Sequence, residues 1–368
     1  MEYKTAPWDL SEITPKDINK TFKTIERHTN NIVKKKKLLT NSISTKTFLD
    51  IVKQLENLRI ISAKLGISAH LAWSANAEDQ KAAALASKVE NFLTKQGNKL
   101  IFFSLWFKKL SDKKAKQLIA ASGKYHYHFE MLRKRKKHTL EENEEKIINI
   151  KDTTGASALT NIYNILTSKF EYDFQGEKRT QEEMVTFVRS SSSKTRKEAY
   201  LTLFKPYQEH KDLIGEIYKN LINDWREESV NLRGYKDPIN VRNSVNDIPD
   251  KAIQALLNVC AKNEKMFHKF FEIKRKKLKL QKLRRFDIYA PLKEEKETIS
   301  YNKAVNMVLE TFEGFAPEFH AAASNIINQN HIHSNVQKGK RSGAFCCPTT
   351  TQHSPYVLLS YTGKYRDV

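Results

Sequence analysis

Apolar residues recur at helical spacing along most of the chain, and only the stretch from Lys338 to Val368 departs from that rhythm. Phe48, Ile51, Val52, Leu55 and Leu58 form one stripe. Leu85, Val89, Phe92 and Leu93 form a second, which runs on into the apolar region 100–110. A period of 3.6 residues places each set on one helix face, and such a face buries itself against another helix. Further stripes follow at Ile214, Ile217, Leu221 and Trp225, then at Ile253, Leu256, Leu257, Cys260, Phe267, Phe270 and Phe271. Ala304, Met307, Val308, Phe312 and Phe315 complete the series. Each is read as core, with Cys260 as a core thiol. Only 11 glycines and 9 prolines interrupt 368 residues, so helices are long and connections short. The expected fold class is mainly α, in two or three lobes.

Local signals mark where helices start and stop. Thr14-Pro15, with Asp17 behind them, reads as N-cap, N1 and N3. Thr139-Leu140-Glu141-Glu142 and Thr180-Gln181-Glu182-Glu183 each read as a capping box. The four lysines 34–37 fall in a helical context. Phe170 to Phe174 alternates like a short strand. Gly234 suits the C′ position after the helix that ends at Arg233. Residues 1–110 read as antiparallel helices packed together, and the Ser191-Ser192-Ser193 break places a lobe boundary near 191, giving regions 1–110, 111–190 and 191–368.

Charge and cysteine usage bound the function. The net charge of +22 is large enough to suggest a polyanionic partner. The densest basic run, Lys274 to Arg285, lacks the interleaved aromatics of a single-strand binder and reads as a helix end, so no specific nucleic acid is expected. Cys260, Cys346 and Cys347 build no disulfide framework, which points to a reducing, cytoplasmic setting. No signal peptide is visible and no apolar run approaches membrane-spanning length, so no membrane partner is expected.

The non-helical stretch carries two expected strands, Ser342–Cys346 and Tyr356–Tyr361. The second is apolar on both faces and calls for cover on both. Pro348 and Pro355 limit the strands on their facing sides. Asp367 has the chemistry of a helix N-cap. The pairs His331/His333 and His126/His128 are candidate ligands only on paper. The first would share a strand face but lacks a third ligand, and the second points apart on a helix. His353 is read as a solvated loop residue.

Lys340 to Cys346, Pro355 to Gly363 and the closing Arg366-Asp367-Val368 resemble the oligoendopeptidase F family of zinc metallopeptidases. So do Trp8-Asp9-Leu10, the block around His138-Thr139-Leu140, Arg233-Gly234-Tyr235, and Phe286 to Leu292. The resemblance implies a two-lobed helical peptidase cage with a small sheet near the C-terminal end of the chain. Under it, 1–110 is an N-terminal helical region, 111–190 the family's N-terminal module, and 191–368 the first part of a catalytic domain. It also implies zinc, a channel for short peptides, and an H-E-x-x-H helix. That motif is absent from the sequence, so catalytic and metal residues are expected beyond Val368 and no zinc is expected on this chain alone. Gly343, Ala344 and Phe345 are the expected substrate-binding residues, at a strand edge to which a peptide can add. Two functions follow: the N-terminal portion of a metalloendopeptidase, inactive as given, or a non-catalytic helical protein that binds peptides or polyanions. On the first, the strand from Tyr356 onward lacks cover, so Tyr356 and Leu358 are expected to meet water and the last 30 residues to be poorly ordered or paired with another molecule.

Overall fold

Ser44 and Asp79 start the two longest helices, each through a side-chain oxygen that accepts from backbone N–H groups of the first turn. A computed structural model of the chain describes residues 2–293 and 298–368. The chain opens with α1 (Ile18–Lys34), α2 (Thr45–Ala75), α3 (Gln80–Lys109), α4 (Asp112–Ala120) and α5 (His126–Lys134). Next come α6 (Glu142–Thr154), α7 (Ala156–Ser168), a hairpin of β1 (Tyr172–Phe174) and β2 (Glu177–Arg179), and α8 (Gln181–Val188). The rest comprises α9 (Ser193–Glu209), α10 (Lys211–Arg226), α11 (Pro238–Asn246), α12 (Asp250–Lys262), α13 (Glu264–Lys277), α14 (Tyr301–Phe315) and α15 (Pro317–Asn328). Strands β3 (Ile332–His333), β4 (Phe345–Cys347) and β5 (Tyr356–Leu358) close it. The fold is mainly α with small sheets, as expected. No helix among the described residues is long and apolar enough to cross a membrane.

The first stripes pack as predicted. Phe48, Ile51, Val52, Leu58 and Val89 are buried in one cluster with Phe103, Phe107 and Phe129, whose rings crowd around Phe48. Of the later stripes, Ile217 and Ala304 are buried, but the stripe from Ile253 to Phe271 and the end of the last one are not. Leu256, Leu257, Phe267 and Phe270 are each more than half exposed, Cys260 is exposed, and Phe315 is 73% exposed. An amphipathic period fixes which side of a helix is apolar but not whether a partner covers it. Cys260 is therefore no core thiol among the described residues.

Two helix starts are also displaced. Asp17, not Thr14, caps α1 by accepting from the Lys20 N–H. Thr139 does not cap α6, because its hydroxyl donates to Arg135 O and accepts from Lys108 Nζ. The cap moves to Glu141, whose N–H donates to Glu144. The Thr180–Glu183 box forms as read. Gly234 sits at φ +67 after the helix end, in the left-handed region a C′ residue requires.

Asp287, in the segment with the most specific resemblance, is 1% exposed and accepts from Arg196 at 2.6 Å. Arg196 is 2% exposed and also donates to the Ser190 and Ser191 carbonyls. This pair ties α9 to the turn before α14.

Candidate functional site

The C-terminal sheet has the order β3-β5-β4, with β3 parallel and β4 antiparallel to β5. β5 is held as the central strand by bonds from its own N–H groups: Val357 donates to His331 O and Leu359 to His333 O. Residues alternate along a strand, so Tyr356 and Leu358 direct their backbone groups to the other side, toward Cys347 and Phe345. Cys346 stands opposite Val357 in this register, and its N–H and C=O therefore face away from the sheet.

The two edges differ. The N-terminal arm seals the outer edge of β3: Ser334 N–H donates to Ala6 O, Ala6 N–H to Ser334 Oγ, and Asp9 N–H to Asn330 O. The outer edge of β4 carries no such cover among the described residues. Gly343 precedes it at φ +82, with nothing within 4 Å of where a Cβ would stand, and its N–H donates to Glu182 Oε1. The expected strand Ser342–Cys346 thus starts three residues later, at Phe345, and ends at Cys347, because the left-handed Gly343 cannot continue a ladder. Gly343 and Ala344 are exposed and Phe345 half-buried, so all three expected residues lie at the open edge.

One face of the sheet is closed by the chain itself. Tyr356 and Leu358 are 0% exposed, packed on Trp8, Ile13 and Leu71. The expectation that they meet water is overturned. The covering layer comes from the N-terminal arm and α2, contacts no local pattern announces. The opposite face, with Cys346, Val357 and Leu359, is only partly covered. Lys340 ties the sheet ends together: buried, it donates to the carbonyls of His333, Asn335 and Leu359. Burial pushes its pKa down to about 8. Nothing in the sequence around Lys340 signalled this role. The Asp367 carboxylate accepts from Thr362 and Lys364 N–H groups and closes the turn at Gly363.

The histidines serve packing. His333 is 1% exposed, set edge-on against Trp8, and burial followed by the Lys340 charge lowers its pKa to about 4. His331 stacks on Tyr356, with Nε2 3.3 Å from Glu12. His353 is not solvated: Nδ1 lies 2.7 Å from Thr350 Oγ1 and Nε2 3.2 Å from Lys64 Nζ. His126 pairs with Glu130, while His128 lines a cavity of about 570 Å³ beyond Pro348. No three His, Cys, Asp or Glu residues converge on one point among the described residues. The described residues thus offer no ligand set that fits zinc.

The buried His333 makes stability depend on pH. The unfolded imidazole takes a proton near 6.5 and the folded one only near 4, so the unfolded state binds more protons in between. Stability is full above about pH 6.5 and falls as pH drops toward 4, by ~3 kcal/mol from this group. Chemical denaturation across this range should show that loss, and His333→Leu should flatten it. An unchanged slope in the variant would assign the acid limb to other groups.

The model for peptidase family M3 matches residues 186–368, and the model for oligopeptidase F matches residues 106–172. The chain belongs to the oligoendopeptidase F family. It is 24% identical to an oligoendopeptidase F homolog of Borreliella burgdorferi over 96% of this chain and 60% of that protein. It is 22% identical to oligopeptidase PepF of Bacillus subtilis over 96% of this chain and 54% of that protein. Among solved structures, PZ peptidase A with an inhibitor superposes with a TM-score of 0.76 at 19% identity, over 94% of this chain and 60% of that one. The oligoendopeptidase F of Enterococcus faecium gives 0.65 at 15% identity, over 88% and 69%. The chain spans little more than half the length of the curated relatives named here.

Proposed function

We propose that this chain supplies the peptide-holding edge of a zinc-dependent oligopeptidase, and that a short extended peptide adds to β4 as a fourth strand. The carrying observation is the outward N–H and C=O of Cys346 on an edge that the fold leaves open while it seals the other. Gly343 and Ala344 let a substrate backbone approach, and Phe345 fixes the strand on the Trp8 cluster. Zinc chemistry belongs in this reading to the complete family fold and to no residue described here.

Cys346→Pro tests the reading. Proline removes the outward N–H and spares the ladder bonds, which Phe345 and Cys347 make, and an edge strand tolerates it. Affinity for short peptides is expected to fall about tenfold, with the denaturation midpoint little changed. Undiminished binding would refute strand addition at this edge.

Hydrolysis tests the division of labour. The 368-residue chain supplied with zinc is expected to cleave no short peptide above background in a mass-spectrometric assay. Turnover that a chelator abolishes would show that its own residues hold a catalytic metal.

A further inference from the structure

The edge of β4 begins beside an arginine that the fold leaves without an acceptor. Arg341 is half-buried, yet its guanidinium has neither a carboxylate nor a hydrogen-bond acceptor among the described residues. The other arginines withdrawn from solvent are all engaged: Arg133, Arg135, Arg179, Arg196, Arg233 and Arg275 each donate to a carboxylate or a carbonyl. The Arg341 guanidinium nitrogens keep contact with solvent, so a ligand carboxylate can take the place of water there.

Its position is fixed at both ends. The Arg341 N–H donates to Ser74 O at the end of α2, and Cζ lies 5.5 Å from the centroid of the Phe345 ring. Stacking on a ring face holds the guanidinium plane and leaves its in-plane N–H groups available. The residue lines a cavity of about 180 Å³ with Lys178, Arg179, Lys338 and Lys340, against only two carboxylates, Glu171 and Glu182. Glu171 is shared by Lys338 and Lys178, Arg179 pairs with Glu177, and Glu182 accepts from the Gly343 N–H, so none of these carboxylates is left for Arg341. Burial, then the Arg341 charge, holds His70 below the usual imidazole range. The N-terminal end of β4 is thus a concentration of positive charge with one free fork.

We propose that Arg341 is a specificity-determining residue that receives a carboxylate of the bound peptide. The proposal rests on the strand-addition reading above. A strand added antiparallel to β4 carries its C-terminal side past Ala344 and Gly343 to Arg341, and a strand added to a sheet lies about 4.8 Å from its neighbour. The carboxylate comes either from the peptide's C-terminus or from an acidic side chain next to it. A bidentate guanidinium–carboxylate pair suits either. The positive end also selects the antiparallel orientation over the parallel one, which would bring an ammonium group there.

Fluorescence anisotropy with labelled pentapeptides decides the matter, at about 0.15 M salt so that the overall charge is screened. The peptides are a free acid, its C-terminal amide, and an amidated pair with Asp or Asn at the penultimate position. The proteins are the full chain, Arg341→Met and Lys338→Met. Wild type is expected to bind a carboxylate-bearing peptide about tenfold more tightly than its neutral counterpart. Arg341→Met should erase that preference and keep the affinity for the neutral amide, which also shows that the variant is folded. Lys338→Met should retain the preference. Sensitivity to amidation identifies the C-terminus as the source, and sensitivity to Asp against Asn identifies the side chain. Equal binding of charged and neutral peptides by wild type, or loss of the preference in Lys338→Met as complete as in Arg341→Met, overturns the role of Arg341 and leaves strand addition standing. No binding of any peptide overturns strand addition itself and this proposal with it.

Discussion

Asp287→Ala is expected to destabilise the chain by ~3–5 kcal/mol, because it leaves the guanidinium of Arg196 buried without its counter-charge. Both side chains are 2% exposed and meet at 2.6 Å, so water cannot replace the lost carboxylate without opening the packing between α9 and the 284–290 turn. Asp287 also accepts from the Arg284 N–H, and that bond goes with it. The double variant Arg196→Met/Asp287→Leu should recover much of the loss, since an apolar pair carries no unmet charge. Urea denaturation of the three variants measures this. A loss below about 1 kcal/mol in Asp287→Ala would place the pair in the class of exposed ion pairs.

Leu358→Ala is expected to cost ~2–5 kcal/mol, the range for emptying a fully buried leucine site whose surroundings only partly collapse. Leu358 is 0% exposed and shares its cluster with Trp8, Ile13 and Leu71, so the loss should loosen the N-terminal arm as well as the sheet. Proteolysis near residues 6–13 should accelerate in parallel. A change below 1 kcal/mol would mean that the arm does not close this face in solution and that the strand is open, as its sequence alone suggested.

The residues disclosed most where one local device decided the outcome. Thr180 and Glu183 satisfy each other across one helical turn, and Gly234 supplies a left-handed C′, so both could be read from four letters or fewer. Thr139 failed the same test because a lysine 31 residues away claimed its hydroxyl. The stripes of α2 and α3 are core because they face each other across a short connection. The stripes of α12 and α13 are equally periodic and stay exposed, since period says nothing of cover. At the site, Gly343, Ala344 and Phe345 were legible as a glycine-led strand near an edge. Which edge stays open was not, because the seal on β3 comes from Ala6, 328 residues distant. Arg341 lies in the Lys340 to Cys346 stretch, yet no local pattern tells that its guanidinium lacks a carboxylate, because that depends on how distant residues such as Glu171 and Glu182 are engaged.

Amide hydrogen exchange of the full chain, with and without a saturating short peptide, tests the central claim most directly. Phe345 and Cys347 direct their N–H groups into the ladder with β5, while Cys346 directs its own outward. Peptide addition is expected to slow exchange at Cys346 and to leave Phe345 and Cys347 nearly unchanged. Saturation that leaves Cys346 exchanging at its free rate, with protection appearing instead over the exposed faces of α12 and α13, would contradict it.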